Sequence, residues 1–207
     1  MFKLINGLYY SEHDLDLDHD TILQEVIDSR KKPEDGSHYS RPHQYNVDNV
    51  QHTFYEDTNL YDKTYLTIKN AVGDVIDEIF GAGRMELEEA WGHIIPPNEQ
   101  TMIHDHGDPF NDFLGVSWVY YPHAPEEAGN LCFMCNVNNS NYILETKQEK
   151  GKLFIFSNYV MHFTPRNGST IDRISISGNH MANNLMKNEL LQDYNYESPF
   201  WKYHGKK

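Results

Sequence analysis

Cysteine, basic charge and long apolar runs are what this 207-residue chain has least of. Its two cysteines, Cys132 and Cys135, form a single C-x-x-C. A structural zinc site needs a second such pair or histidines at matching spacing, and none stands nearby. A redox C-x-x-C opens a helix, whereas this one lies inside the apolar run 130–135. Both cysteines are therefore expected to be buried free thiols. Lys and Arg number 17 against 31 Asp and Glu, giving a formal net charge of −14. That balance argues against a duplex nucleic-acid binder, which needs a cationic face to displace counterions. It argues equally against adhesion to anionic membranes. The chain begins Met1-Phe2-Lys3-Leu4 without a signal-like or membrane-spanning apolar stretch. With its reduced thiols, this leads to an expected cytoplasmic location, the host cytoplasm if a phage encodes it.

What the chain does have is aromatic weight, with 14 Tyr, 10 Phe and 3 Trp, and β-branched runs through its middle. The length suits one domain over 1–207, mainly β with flanking helices. Residues 1–84 are expected to be helical scaffold and loops. Ile22, Leu23, Val26 and Ile27 recur at helical spacing after Asp20-Thr21, and that pattern stops near Lys32-Pro33. The stretch 33–58 is polar, and its His38, His43 and His52 read as surface or loop residues. A second helix is expected over 60–80, with Leu66, Val72, Val75, Ile76 and Ile79 facing the core.

From residue 85 the pattern changes to short strands broken by Gly, Pro and Asn turns. They are expected at 85–95, 100–106, 113–121, 130–135, 142–148, 152–157, 162–165 and 173–180. Eight such strands suggest a double-stranded β-helix, or jelly roll, as a core over 85–182. The tail 183–207 holds a possible outer helix over 183–192 and the anchor-like Ser198-Pro199-Phe200-Trp201.

The chemistry concentrates in a split histidine cluster. His104-Asp105-His106-Gly107-Asp108 lies mid-chain, and Met161-His162-Phe163 follows more than fifty residues later. Imidazoles two apart on an extended segment point to one side of a sheet, and a third from a distant strand closes one face of a metal ion. Two imidazoles with a carboxylate, leaving positions open, form the ligand set of non-haem Fe(II) oxygenases. Two registers are available. In one, His104, His106 and His162 are the ligands; in the other, His106 and Asp108 pair with His162. Further on, alternation in Arg173-Ile174-Ser175-Ile176-Ser177 sets Arg173, Ser175 and Ser177 on one face. A planar guanidinium grips a carboxylate through two parallel hydrogen bonds, and a serine hydroxyl can add a third.

These pieces occur in a telling order: Trp91, His104-Asp105-His106, Ser117-Trp118-Val119-Tyr120-Tyr121, Gly151-Lys152-Leu153-Phe154-Ile155-Phe156-Ser157, His162, and Arg173 to Asn179. In that order the stretch resembles 2-oxoglutarate- and Fe(II)-dependent oxygenases, in particular a small H-x-H group common in bacteria and phages. The connection from His106 to Ser117 is longer than that group usually has. Through Asp108 and Val119-Tyr120-Tyr121 it also resembles the prolyl hydroxylases. Gly178 stands where the group more often has a bulky residue. The resemblance implies Fe(II) and 2-oxoglutarate as cofactors and O₂ as cosubstrate. It also implies hydroxylation of an unactivated C–H bond with release of succinate and CO₂. By the same likeness, Arg173, Ser175 and Tyr120 or Tyr121 would bind the cosubstrate carboxylate. Two other readings compete: a cupin-like three-histidine dioxygenase that does not use 2-oxoglutarate, and a non-catalytic metal-binding jelly roll. The prime substrate, a protein side chain or a small molecule, is not named by these residues.

Overall fold

The computed structural model describes residues 9–28, 51–54, 63–107, 115–137 and 140–186. Asp108, His38, His43, most of the stretch 33–58 and the tail beyond residue 186 lie outside them. The elements run in the order β1 (Tyr10–Asp14), α1 (His19–Asp28), β2 (Gln51–Phe54), α2 (Lys63–Phe80), β3 (Met85–Ile95) and β4 (Thr101–His104). There follow β5 (Gly115–Tyr120), β6 (Cys132–Val137), β7 (Ser140–Glu145), β8 (Lys152–Ser157), β9 (His162–Thr164) and β10 (Arg173–Ala182). The protein is mostly β, with two antiparallel sheets. The major sheet has the order β1-β8-β5-β10-β3-β2 and the minor one β4-β9-β6-β7.

Period-two alternation gives the major sheet two different faces. On one, Ile94, Trp118, Tyr120, Leu153, Ile155, Ile174 and Ile176 are buried beneath Ile22 and Val26 of α1 and Ile68, Val72 and Ile76 of α2. On the other, Tyr10, Val119, Tyr121, Phe154 and Phe156 meet Phe133 and Cys135 from the minor sheet and Leu131 just before it. Phe133 packs edge-on against Phe156 at 4.9 Å between centroids, closing the space between the sheets. Helix α1 begins one turn earlier than its apolar spacing suggests. Asp18 caps it, accepting the Thr21 backbone N–H at 3.2 Å and the Thr21 hydroxyl at 2.8 Å.

The strands expected at 85–95 and 152–157 have those bounds; the other six shift at their ends by up to three residues. Strands β1 and β2 lie where none was expected, and His52 falls in β2 rather than in a loop. Strand β1 (Tyr-Ser-Glu-His-Asp) has almost no apolar alternation. It joins the sheet edge through its ladder to β8, from Tyr10↔Phe156 to Asp14↔Lys152, so the backbone specifies it rather than the side chains. Cys132 and Cys135 are both buried and free, and burial raises both thiol pKa values, which makes them inert. Among the described residues, no helix is long and apolar enough to cross a membrane.

Gly178 has a packing reason. A Cβ there would run into the Trp118 indole and sit 2.7 Å from the Glu89 carbonyl oxygen. The indole held over Gly178 donates its N–H to His180 Nδ1 at 3.1 Å. His180 is buried, and desolvation lowers its pKa to about 4 against a small opposing pull from Asp77 and with Lys69 adding to the depression. The unfolded chain, with an ordinary histidine, therefore takes up this proton first as pH falls. Stability is complete above pH about 6.5 and declines towards pH 4, by up to about 3 kcal/mol from this residue. In metal-free protein, urea unfolding of His180→Asn, which keeps an acceptor for the indole, should show a shallower loss over that window than wild type. Parallel curves would remove His180 as the cause.

Candidate metal and carboxylate site

His104 ends β4 directly opposite His162, the first residue of β9. The β4–β9 register shifts between Thr101 and His104. His106 lies just past the strand, with its backbone N–H donated to the Asn158 carbonyl at 2.8 Å. The minor sheet and the β8–β9 turn thus bring together residues that are remote in sequence. One ring nitrogen from each of His104, His106 and His162 lies within 4.8 Å of the others. Their ring centroids are 4.3 to 5.1 Å apart.

Main-chain carbonyls set two of the tautomers. His104 Nδ1 donates to the Met102 carbonyl and His162 Nδ1 to the Val160 carbonyl, each at 2.8 Å. That leaves Nε2 of each as the lone-pair nitrogen, the form a metal needs. Burial, then the charges of His104 and His106, push the His162 pKa well below its ordinary value, so it is neutral at neutral pH. Aromatic rings wall the cluster: Trp91 stands 5.6 Å from the His106 ring and Phe156 4.8 Å from that of His162. The donor set suits a borderline transition-metal ion. Asp108, the carboxylate of the alternative register, lies outside the described residues.

Arg173 opens β10 on the face that looks between the sheets. It is 2% exposed. One terminal nitrogen donates to the Ala128 and Gly129 carbonyls at 3.3 and 3.4 Å and the other to the Thr164 hydroxyl, while Nε has no hydrogen-bond partner among the described residues. Among the described residues no carboxylate pairs with it. A desolvated cation without a counter-ion is costly unless an anion joins it. Ser175 follows on the same face and is buried. Of the two tyrosines, Tyr121 shares this region: it packs edge-on against Phe154, and burial raises its phenol to about 12 despite the nearby Arg173 charge. It therefore keeps its proton and can donate. Tyr120 points the other way, into the helix-covered core, where its hydroxyl meets His19 Nδ1 at 2.5 Å.

Thr164 and Thr101 were not singled out from the sequence. The Thr101 and Thr164 hydroxyls meet at 2.5 Å, and Thr164 holds Arg173. Alternation along His162-Phe163-Thr164 would have revealed Thr164, since it must share the His162 face.

No family model matches this chain, and no curated protein matches it. Solved structures do. A prolyl-4-hydroxylase from Pseudomonas putida is similar with a TM-score of 0.54 at 19% identity, over 84% of this chain and 92% of that one. The viral collagen prolyl hydroxylase of Paramecium Bursaria Chlorella virus-1, in a 2-oxoglutarate complex, gives 0.58 at 15%, over 87% and 100%. The epimerase SnoN, in complex with Fe3+, alpha-ketoglutarate and nogalamycin RO, gives 0.61 at 11%, over 84% and 78%.

Ligation by three imidazoles predicts that His162→Ala and His104→Ala each weaken Co(II) binding by about a hundredfold or more, while Asp108→Ala changes it little. Equilibrium dialysis measures this. A large loss in Asp108→Ala with none in His104→Ala would assign the carboxylate register instead. The structural neighbours are 2-oxoglutarate-dependent oxygenases, and at these identities what they establish for this chain is the shared fold.

Proposed function

We propose that this protein is an Fe(II)- and 2-oxoglutarate-dependent oxygenase that hydroxylates an unactivated C–H bond, built as one domain around a jelly-roll core over 85–182. The observation that carries the reading is the pairing of a three-imidazole cluster with a buried Arg173, which no carboxylate among the described residues meets, in the space between the same two sheets. The jelly-roll assignment is supported by the path of β3 to β10, which passes back and forth between the two sheets.

His104, His106 and His162 would hold Fe(II), with Asp108 as the carboxylate alternative to His104. Arg173, Ser175 and Tyr121 would hold the distal carboxylate of 2-oxoglutarate. Bound together, Fe(II) and 2-oxoglutarate supply the oxidising power for hydroxylation by O₂, with succinate and CO₂ as co-products. The rest is the chain's own work. The Met102 and Val160 carbonyls keep two ligating imidazoles in the tautomer that presents Nε2. Thr164, backed by Thr101, holds the Arg173 guanidinium in place. The Tyr121 phenol stays protonated, so it offers a hydrogen and not a charge to an incoming carboxylate. Phe133, Phe154 and Phe156 exclude water from the space between, which strengthens every charge interaction made there.

The competing cupin-like reading needs no cationic anchor and leaves the burial of Arg173 unexplained. The neighbours span hydroxylases and an epimerase, so the hydroxylation outcome rests on likeness and not on the fold. The partners proposed are O₂ and a protein side chain or small molecule, with neither duplex nucleic acid nor a membrane; the acidic balance supports this.

Succinate formation from 2-oxoglutarate, in air with Fe(II) and a reductant, should be lost in His162→Ala. In Arg173→Ala the KM for 2-oxoglutarate should rise by about a hundredfold, with Arg173→Lys recovering only part of it. Succinate formation unaffected by either change would overturn the assignment.

A further inference from the structure

Strands β4 and β9 meet at two registered positions, and each joins a pair of polar side chains. At one His104 faces His162; at the other Thr101 faces Thr164. The Thr101 and Thr164 hydroxyls lie 2.5 Å apart, a spacing at which one donates to the other. Each oxygen also accepts a second bond. The Thr164 backbone N–H donates to Thr101 Oγ1 at 2.7 Å, and Arg173 Nη2 donates to Thr164 Oγ1. Arg173 Nη1 is held by the Ala128 and Gly129 carbonyls. Among the described residues, that leaves the guanidinium its Nε–H and a second Nη2 hydrogen. These are neighbours on the edge that grips a carboxylate side-on, and Thr164 adjoins that edge through Nη2.

Two hydroxyls carry two hydrogens, and the bond between them uses one. Its direction decides where the other goes. If Thr164 donates to Thr101, the spare hydrogen belongs to Thr101, which is partly exposed, so water accepts it. If Thr101 donates to Thr164, the Thr164 oxygen is filled by Thr101 and Arg173, and the spare hydrogen is its own. Thr164 is 5% exposed, and its hydroxyl meets no other acceptor among the described residues. The first direction is therefore favoured until an acceptor comes to Arg173. A carboxylate, which only accepts, makes the second direction the better one.

We propose that Thr164 is a further binding residue for the distal carboxylate of the 2-oxo acid, and that the Thr101–Thr164 bond reverses as that carboxylate arrives. This rests on the oxygenase function proposed above. In the loaded protein Thr101 donates to Thr164, and Thr164 donates to the carboxylate beside the Arg173 edge. The major sheet then supplies the charge and the minor sheet a hydroxyl, so both close on one anion. The reversal also sets a sign. Without Thr101, the buried Thr164 hydrogen has no partner until the carboxylate supplies one, so removing Thr101 favours the loaded protein.

Isothermal titration of 2-oxoglutarate into the full chain loaded with Co(II), without oxygen, tests both parts. Thr164→Val should weaken binding by about tenfold or more, while Thr164→Ser, which keeps the hydroxyl, should stay within about threefold of wild type. Thr101→Val should bind about threefold more tightly than wild type, although without 2-oxoglutarate it unfolds at lower urea. Weaker or unchanged binding in Thr101→Val, with Co(II) affinity intact, would make the pair a mere prop for Arg173 and overturn the reversal. A second readout uses wild type alone, so no variant has to fold. With Zn(II) in place of Co(II), a nuclear Overhauser contact is expected between the Thr164 side chain and the C4 protons of bound 2-oxoglutarate. Its absence would overturn the direct contact. If wild-type protein holds Co(II) yet takes up no 2-oxoglutarate, the cosubstrate reading itself falls, ahead of this one.

Discussion

Strand β10 is paired with β3 from Arg173 to Ala182 and with β5 from Ile176 to Met181, so its register is pinned from both edges. Everything else about the site depends on that. A slip of one residue would turn Ile174 and Ile176 into the space between the sheets and bury Arg173 beneath the helices. The helix-covered core prevents it, because those isoleucines pack against the same apolar layer as Leu153, Ile155 and Trp118. Hydrophobic burial on one face of the sheet thus fixes the position of a cation on the other. Gly178 marks how tightly that face is filled, since the Trp118 indole occupies the volume a side chain would need.

The site divides its costs between the sheets. The major sheet carries Arg173 and its hydroxyl neighbours, and the minor sheet carries the imidazoles on β4 and β9. Neither sheet alone holds both groups at once. Phe133 against Phe156 and Thr164 against Arg173 join them, one through packing and one through a hydrogen bond. Buried polar groups in such a space stay affordable only when satisfied. Among the described residues, Arg173 Nε is buried without a hydrogen-bond partner, and the anionic cosubstrate proposed above would supply the counter-charge this cation lacks.

Much of this was legible from residue order. Alternation alone placed Arg173, Ser175 and Ser177 together, and the H-x-H spacing with a distant His162 anticipated a cluster that the fold does assemble. The choice between Tyr120 and Tyr121 was not legible, because it depends on which face of β5 meets the helices. Strand β1 was invisible for a different reason: its pairing with β8 is written in main-chain hydrogen bonds, and its side chains are polar. The carbonyls that set the histidine tautomers carry no sequence signal at all, since every residue offers one.

The central claim is that one space holds both a metal ion and the 2-oxo acid that Arg173 anchors. Anaerobic titration of the protein with Fe(II) and 2-oxoglutarate tests it most directly, through the weak visible charge-transfer band that appears when the oxo acid binds the metal. The account predicts a band that requires both components, disappears in His162→Ala and weakens in Arg173→Ala at the same 2-oxoglutarate concentration. Stoichiometric iron binding with no band at any 2-oxoglutarate concentration would contradict it, leaving a metal site that does not use this cosubstrate.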